Sequence, residues 1–254
     1  MTASQNLTGK VAFVTGGTRG IGLETVRGLG RLGAAVVIGA RDLQKGQETA
    51  TQLKQEGLNV EAIACDVNVH EDHLAVYRHL EQQYGKLDIL INNAGVLLDA
   101  ESVSVEIVNK TSTQPAEQLR ETFEVNFFAP ILLTQTLLPL IRKSEAGRIV
   151  NLSSVLGSLT LHADPSAPIY GIKTFAYNAS KTALNAFTIH LAHELKDTAI
   201  KVNSIHPGWV NTSLGGAKAD IDAVEGSRTS IIAATLPDDG PSGQFFYLEN
   251  HLPW

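Results

Sequence analysis

The chain predicts an α/β fold: one doubly wound sheet, mostly or wholly parallel, of about seven strands flanked by helices. Three observations carry that expectation. Short β-branched runs recur along the chain, segments of helical length separate them, and a glycine cluster stands between the first run and the first helix. The runs are almost continuously apolar, as strands are when helices cover both faces of a parallel sheet.

Val11 to Val14 is the first strand, Ala35 to Ile38 the second and Val60 to Ala64 the third. Leu87 to Ile91, Arg148 to Leu152 and Ile200 to Ile205 follow, and Phe245 to Leu248 is the seventh. Helices are expected over about 21 to 32, 43 to 56, 70 to 84, 115 to 142 with Pro130 near its middle, 178 to 196 and 222 to 234. Asp42 stands where the second helix needs an N-cap, and Gly57 where it needs a stop. No repeat, charge block or low-complexity linker interrupts the alternation, so residues 1–254 read as one domain.

The chain holds 20 Lys and Arg against 26 Asp and Glu, a net charge of −6, which removes any general electrostatic case for nucleic acid. Cys65, the one cysteine, follows Ala62-Ile63-Ala64 and reads as a buried structural thiol. Met1 to Asn6 have neither the basic nor the apolar region of an export signal, and the profile is that of a cytoplasmic enzyme. Phe127 to Ile141 is the most apolar long stretch, but it is interrupted by Pro130, Thr134, Gln135, Thr136 and Pro139. It falls short of the roughly 20 apolar residues of a membrane span and is expected to be a buried helix.

Thr15-Gly16-Gly17-Thr18-Arg19-Gly20-Ile21-Gly22 follows the first strand and opens the first helix, the context of a Rossmann-type dinucleotide fingerprint. Glycines let a pyrophosphate approach the backbone, and the helix N-terminus offers N–H groups and a favourable dipole. No Gly-Lys-Ser or Gly-Lys-Thr closes the loop, which excludes a nucleoside triphosphate site. After the second strand, Ala40 is followed by Arg41. Arg41 and Arg19 together suit a ribose 2′-phosphate, which favours NADP(H) over NAD(H). Asp42 is the competing signal, and its place one residue into the turn suits capping better.

Of the five tyrosines only Tyr177 has a lysine, Lys181, four residues on. On a helix that spacing puts both on one face, where a cation stabilises the phenolate and lowers its pKa.

These segments, together with Asn92-Asn93-Ala94-Gly95 after the fourth strand, Asn151-Leu152-Ser153-Ser154 after the fifth and Pro207-Gly208 after the sixth, resemble the short-chain dehydrogenase/reductase family in order and spacing over almost the whole chain. Within it, the glycine loop, Ala40-Arg41-Asp42 and the ending Gly240 to Phe245 look most like the NADPH-dependent carbonyl reductases. The resemblance implies a catalytic tetrad. Tyr177 would be general acid in reduction and general base in the reverse direction, and Lys181 would lower its pKa and hold the nicotinamide ribose. Ser154 would hydrogen-bond the substrate oxygen, and Asn126 would hold a water linking Lys181 to solvent. Without the other motifs, Asn126 reads as a bend or cap in its long helix.

By the same resemblance, Gly16, Thr18, Arg19, Gly20, Ile21 and Gly22 would hold the phosphates, and Arg41 the 2′-phosphate. Asp66 and Val67 would border the adenine, and Asn93, Ala94 and Gly95 the adenosine ribose. Pro207, Gly208, Val210 and Thr212 would enclose the nicotinamide. Leu156, Phe175, Trp209 and Leu214 would add an apolar wall to Ser154 and Tyr177, suited to aromatic or alicyclic ketones and aldehydes. The link from Ser154 to Tyr177 is longer than in many members, an insertion around 158–175, and its bulk implies a monomer or small homo-oligomer. A short lid is expected around 213–226, with Gly215-Gly216 as its hinge. His70 with His73 and His190 with His193 make no His-Glu-x-x-His, and no metal is expected. The alternatives are an NAD(H)-dependent alcohol dehydrogenase of the same family and a non-catalytic NADP-binding sensor or scaffold. A halohydrin lyase would lack the glycine loop that is intact here.

Overall fold

In the computed structural model, which describes residues 6–100, 102 and 110–254, β1 (Val11–Thr15) lies inside the sheet between β2 (Ala35–Ala40) and β4 (Ile89–Asn92). β3 (Val60–Ala64) lies outside β2, while β5 (Arg148–Leu152), β6 (Lys201–Ile205), β7 (Phe245–Tyr247) and β8 (Asn250–His251) extend the other side. The order is therefore β3-β2-β1-β4-β5-β6-β7-β8, parallel except for the β7–β8 pair. The chain reverses direction across the sheet between β1 and β4, the switch point at which ligands bind in such folds. Of the stretch read for an export signal, Met1 to Gln5 lie outside the described residues.

Alternate residues of each strand point to opposite faces, and both faces are dry. Ala12, Val14, Val36, Ile38, Ile89 and Ile91 join Val26 and Leu29 of α1 (Gly20–Arg31), Leu53 of α2 (Leu43–Gln55) and Ala233 of α8 (Ala223–Ala234). Val11, Phe13, Val37, Leu90 and Ile149 join Leu80 of α3 (His70–Tyr84), Leu137 of α5 (Ala129–Ile141) and Leu191 of α7 (Phe175–Glu194). This two-sided burial is why the strands read as unbroken apolar runs. Each fully buried aliphatic side chain contributes about 1.5–3 kcal/mol of transfer free energy.

The sequence reading differs from the structure in four places. The sheet has an eighth, antiparallel strand, and β4 starts at Ile89 because Asp88 spends its carboxylate on the Val11 N–H (2.9 Å) and the Ser144 hydroxyl (2.6 Å). The long helix expected over 115–142 is α4 (Ala116–Phe123), a π-helical turn over Glu124–Phe128, and α5. A further short helix, α6 (Leu159–Ala163), lies in the insertion. Ala116–Ile141 is long and apolar enough to cross a membrane by length and composition, yet Leu133, Leu137 and Leu140 are fully buried in the core beside the sheet.

Both sheet edges carry polar groups. β8 is two exposed residues, and on β3 the Glu61 carboxylate accepts from the Tyr84 hydroxyl (2.9 Å) and meets His79 Nε2 (2.8 Å).

Candidate active site

Every predicted segment reaches the C-terminal edge of the sheet. The glycine loop leaves β1 and is tied to the end of β4: the Asn93 side chain donates to the carbonyls of Thr15 (2.7 Å) and Gly16 (3.2 Å), and Thr15 Oγ1 accepts from the N–H groups of Asn93 and Ala94 (3.0 Å each). Gly22 has no room for a side chain, because a Cβ there would lie 2.4 Å from the Gly16 carbonyl oxygen. Gly20 takes a positive φ of 54°, and a Cβ on it would lie 3.3 Å from Thr212 Cγ2, so the Pro207–Thr212 segment folds back over the loop. Thr18 and Ile21 are half-buried.

The donor set fits a dinucleotide. Arg19 occupies the N-cap of α1 in extended conformation and makes no side-chain cap bond, which leaves the first N–H groups of that helix for an anion. By contrast Asp42 caps α2 by accepting from Lys45 N (3.2 Å), the role its position predicts. Arg19 and Arg41 are exposed and take part in no ion pair among the described residues, whereas Arg27 and Arg31 are held by Glu24 and Glu56. A small cleft at the switch point is lined in part by Thr15, Val67, Ala94 and Val125. Asp66 is a turn acid: its Oδ1 accepts from Asn68 N (3.0 Å), and α3 starts after Val69 instead. Burial pushes the Cys65 thiol up to about 12, in keeping with an inert structural cysteine.

The four tetrad positions converge. Tyr177 (6% exposed) and Lys181 (4%) face inward from α7, and Ser154, 7% exposed, lies near enough to the Tyr177 phenol to lower its pKa against the effect of burial. A Cβ on Gly95 would lie 3.3 Å from Asn126 Oδ1 and 3.5 Å from Lys181 Nζ, which puts the amide and the amine beside the same glycine. Behind them a polar layer fixes the strand ends: Asn92 donates to Asn151 (2.8 Å) and Thr134 (3.0 Å), Asn151 donates to Thr188 (2.8 Å), and Thr188 meets Ser204 (2.7 Å).

One expectation is overturned. Lys181 Nζ is 5.6 Å from the Tyr177 ring centre and donates to the Leu152 carbonyl (2.8 Å). Burial dominates both groups, pushing the phenol up to about 12, against a lowering by Ser154, and the ammonium down to about 8. Tyr177 is therefore protonated at neutral pH.

Asn126 is neither a helix cap nor a free side chain. Its Oδ1 accepts from Val96 N (2.8 Å), while its Nδ2 donates to the Val96 carbonyl (2.9 Å) and to Ser180 Oγ (3.1 Å). Both amide hydrogens are spent, and one Oδ1 lone pair remains. Its backbone carbonyl also lacks the usual donor four residues on, because that residue is Pro130, near the start of α5.

On the substrate side, Phe175 and Trp209 each keep 37% of their surface and Leu214 is half-buried, but Leu156 is core, 5% exposed. Val210 points inward, against Gly226, and bridges Ile221. The expected lid is shorter than 213–226, since α8 starts at Ala223. Gly215 is not a loose hinge: the Trp209 indole donates to its carbonyl (2.8 Å), and Thr212 Oγ1 accepts from its N–H (3.1 Å).

Sequence reasoning missed three residues here. His206 Nδ1 accepts from Val155 N (3.2 Å), holding the residue after Ser154, and burial pushes its pKa down to about 4. His162 on α6 meets the Leu156 carbonyl (3.0 Å) and the Asn178 amide (3.1 Å), fastening the insertion to both catalytic segments. Asp99 lies buried beside the start of α7. His162 and His206 sit in no recognisable motif, and nothing local marks Asp99.

Comparison with known proteins follows the same lines. A family model described as short chain dehydrogenase matches residues 10–221. The human protein named carbonyl reductase (NADPH) 1 is 32% identical over 273 aligned positions, covering 92% of this chain and 95% of its own. The solved structure of salutaridine reductase from Papaver somniferum superposes with a TM-score of 0.79 at 30% identity, over 94% of this chain and 99% of its own. NADPH-bound carbonyl reductase from chicken fatty liver gives 0.82 at 25% identity, over 97% and 99%.

Proposed function

The chain belongs to the short-chain dehydrogenase family, and we propose that it reduces hydrophobic ketones and aldehydes to alcohols, reversibly, with NADPH as cofactor and Tyr177 as proton donor. The observation that carries this reading is the convergence of Ser154, a buried Tyr177, Lys181 and Asn126 on the same edge as the glycine loop. When bound, NADPH supplies the hydride. The uncapped start of α1 would hold its pyrophosphate, and Arg19 and Arg41 its 2′-phosphate. Asn93, Ala94 and Gly95 would border its adenosine ribose, and the Pro207–Thr212 segment its nicotinamide.

The protein's own part is orientation and proton supply. Ser154 holds the carbonyl oxygen while Tyr177 releases its proton to it, so negative charge on that oxygen never faces an apolar wall alone. Lys181 would stabilise the phenolate left behind once the cofactor and substrate are bound. Asn126, through its remaining Oδ1 lone pair, would offer a water site beside Lys181 for return of the proton. Phe175, Trp209 and Leu214 face the substrate with mainly apolar surface, suited to aromatic and alicyclic carbonyls. The protein works in the cytoplasm, as a monomer or small homo-oligomer.

Oxidation of NADPH and of NADH is followed with acetophenone, cyclohexanone and benzaldehyde, beside Tyr177→Phe. Turnover with NADPH is expected, with kcat lower by roughly a thousandfold in the variant and cofactor binding retained. Preference for NADH would move the protein to the NAD(H)-dependent dehydrogenases. Undiminished turnover in the variant, or no turnover with any carbonyl, would refute the proposal.

A further inference from the structure

Helix α7 carries both Tyr177 and Lys181, yet nothing adjacent in sequence caps it. Thr174 occupies the N-cap position and makes no cap bond; its hydroxyl donates to Asn178 Oδ1 (2.8 Å) instead. The cap comes from a distant part of the chain. Asp99, 2% exposed, accepts from Ala176 N through Oδ1 (3.2 Å) and from Tyr177 N through Oδ2 (2.8 Å). Those are the second and third N–H groups of the helix, the two that an N-cap side chain ordinarily satisfies.

Asp99 belongs to the segment that leaves β4 through Asn93-Ala94-Gly95. Asn126 holds that segment at the Val96 backbone, the Gln118 side chain holds it at the Leu98 carbonyl, and Asp99 then fastens it to α7. Helices α2 and α8 are capped by Asp42 and Asp222, each only three residues from the N–H it accepts from. A local cap fixes a helix end against itself. A remote cap fixes the helix against the element that supplies it, and here that element borders the cofactor side of the site.

We propose that Asp99 is the positioning residue of the proton donor, setting the first turn of α7 and its phenol in register with the segment that follows β4. The inference rests on the reading of Tyr177 as proton donor. Small displacements of a catalytic group carry large rate costs, about a hundredfold for 1 Å, so the effect falls on kcat more than on cofactor binding.

Asp99→Ala and Asp99→Asn are compared with the wild-type chain in NADPH-dependent reduction of acetophenone, with hydrogen exchange of residues 174–180 followed in parallel. In Asp99→Ala the Ala176 and Tyr177 amides are expected to exchange at least about tenfold faster. The same variant is expected to lose kcat by roughly ten- to a hundredfold, with the KM for NADPH moving less than about threefold. Asp99→Asn, which keeps one carbonyl acceptor, recovers most of kcat. In the background of Asp99→Ala, Thr174→Asp supplies a local cap, which is expected to restore amide protection but not kcat. Recovery of kcat by that local cap, faster exchange with unchanged kcat, or a matched loss of NADPH affinity overturns the positioning role. Unchanged exchange overturns the cap itself. If the wild-type chain turns over no carbonyl, the proposed function fails, while the exchange result still decides whether Asp99 caps α7.

Discussion

Helices α1 and α7 both begin beyond the C-terminal ends of strands, and they treat their first N–H groups in opposite ways. At α1 the N-cap is an arginine with no cap bond, and the N–H groups are left for an anion. At α7 a buried carboxylate from another part of the chain already occupies the corresponding place. The same electrostatics thus serves two ends: an unfilled terminus receives a ligand, and a filled one becomes a fixed point for catalytic side chains.

The contrast is broken most completely by giving α1 the carboxylate it lacks. Arg19→Asp places a good capping residue at an N-cap that is already extended, and should raise stability by about 0.5–1 kcal/mol. Affinity for NADPH and for NADH should both fall by roughly a hundredfold, because an internal anion and a pyrophosphate compete for one terminus. Fluorescence titration of both cofactors, with thermal melts, reads the two effects. Unchanged binding places the phosphates elsewhere.

A second test concerns the charge that α7 carries into the interior. Burial lowers Lys181 from 10.5 to about 8, so between those values the unfolded chain holds a proton that the folded chain has shed. Stability contributed by this group therefore rises with pH from about 8. Tyr177, raised from 10.0 to about 12, begins to oppose it above about 10. Urea unfolding of the wild type against Lys181→Met should differ in slope between about pH 8 and pH 10, by up to about 2 kcal/mol. Parallel pH profiles would mean the lysine is hydrated.

The smallest expected effect sharpens the role of the third helix start. Asp42→Ala removes the local cap of α2 and should cost about 1 kcal/mol of stability. The ratio of NADPH to NADH turnover should stay the same, since Asp42 acts on Lys45 N. A changed ratio in the assay would make Asp42 a ribose reader after all.

What was legible in the sequence was local. The bounds of β3 and β5 match the reading residue for residue, because each is a compact β-branched run with turn residues around it. The glycine loop and the Tyr177–Lys181 pair were legible because their spacing is short and fixed by one turn or one helix. The carboxylate of Asp99 was not, since its partners lie 77 and 78 residues away and only the assembled sheet brings them together. The π-helical turn was half visible: Pro130 marked the interruption, but not that Asn126 would turn inward to hold Val96 and Ser180. The direction of the Tyr177 shift is not legible in the sequence for a related reason. Spacing puts a cation near a phenol, but it says nothing of the water removed from both when α7 packs against the sheet.

The two margins of the sheet bear on how this protein behaves in company. A parallel sheet exposes unpaired backbone groups at its rim, and a flat rim recruits strands from neighbouring molecules. Here one margin is a two-residue antiparallel turnback, and the other carries Glu61 engaged with His79 and Tyr84. Neither offers a long apolar ladder, so both rims disfavour edge-to-edge pairing with strands of another molecule.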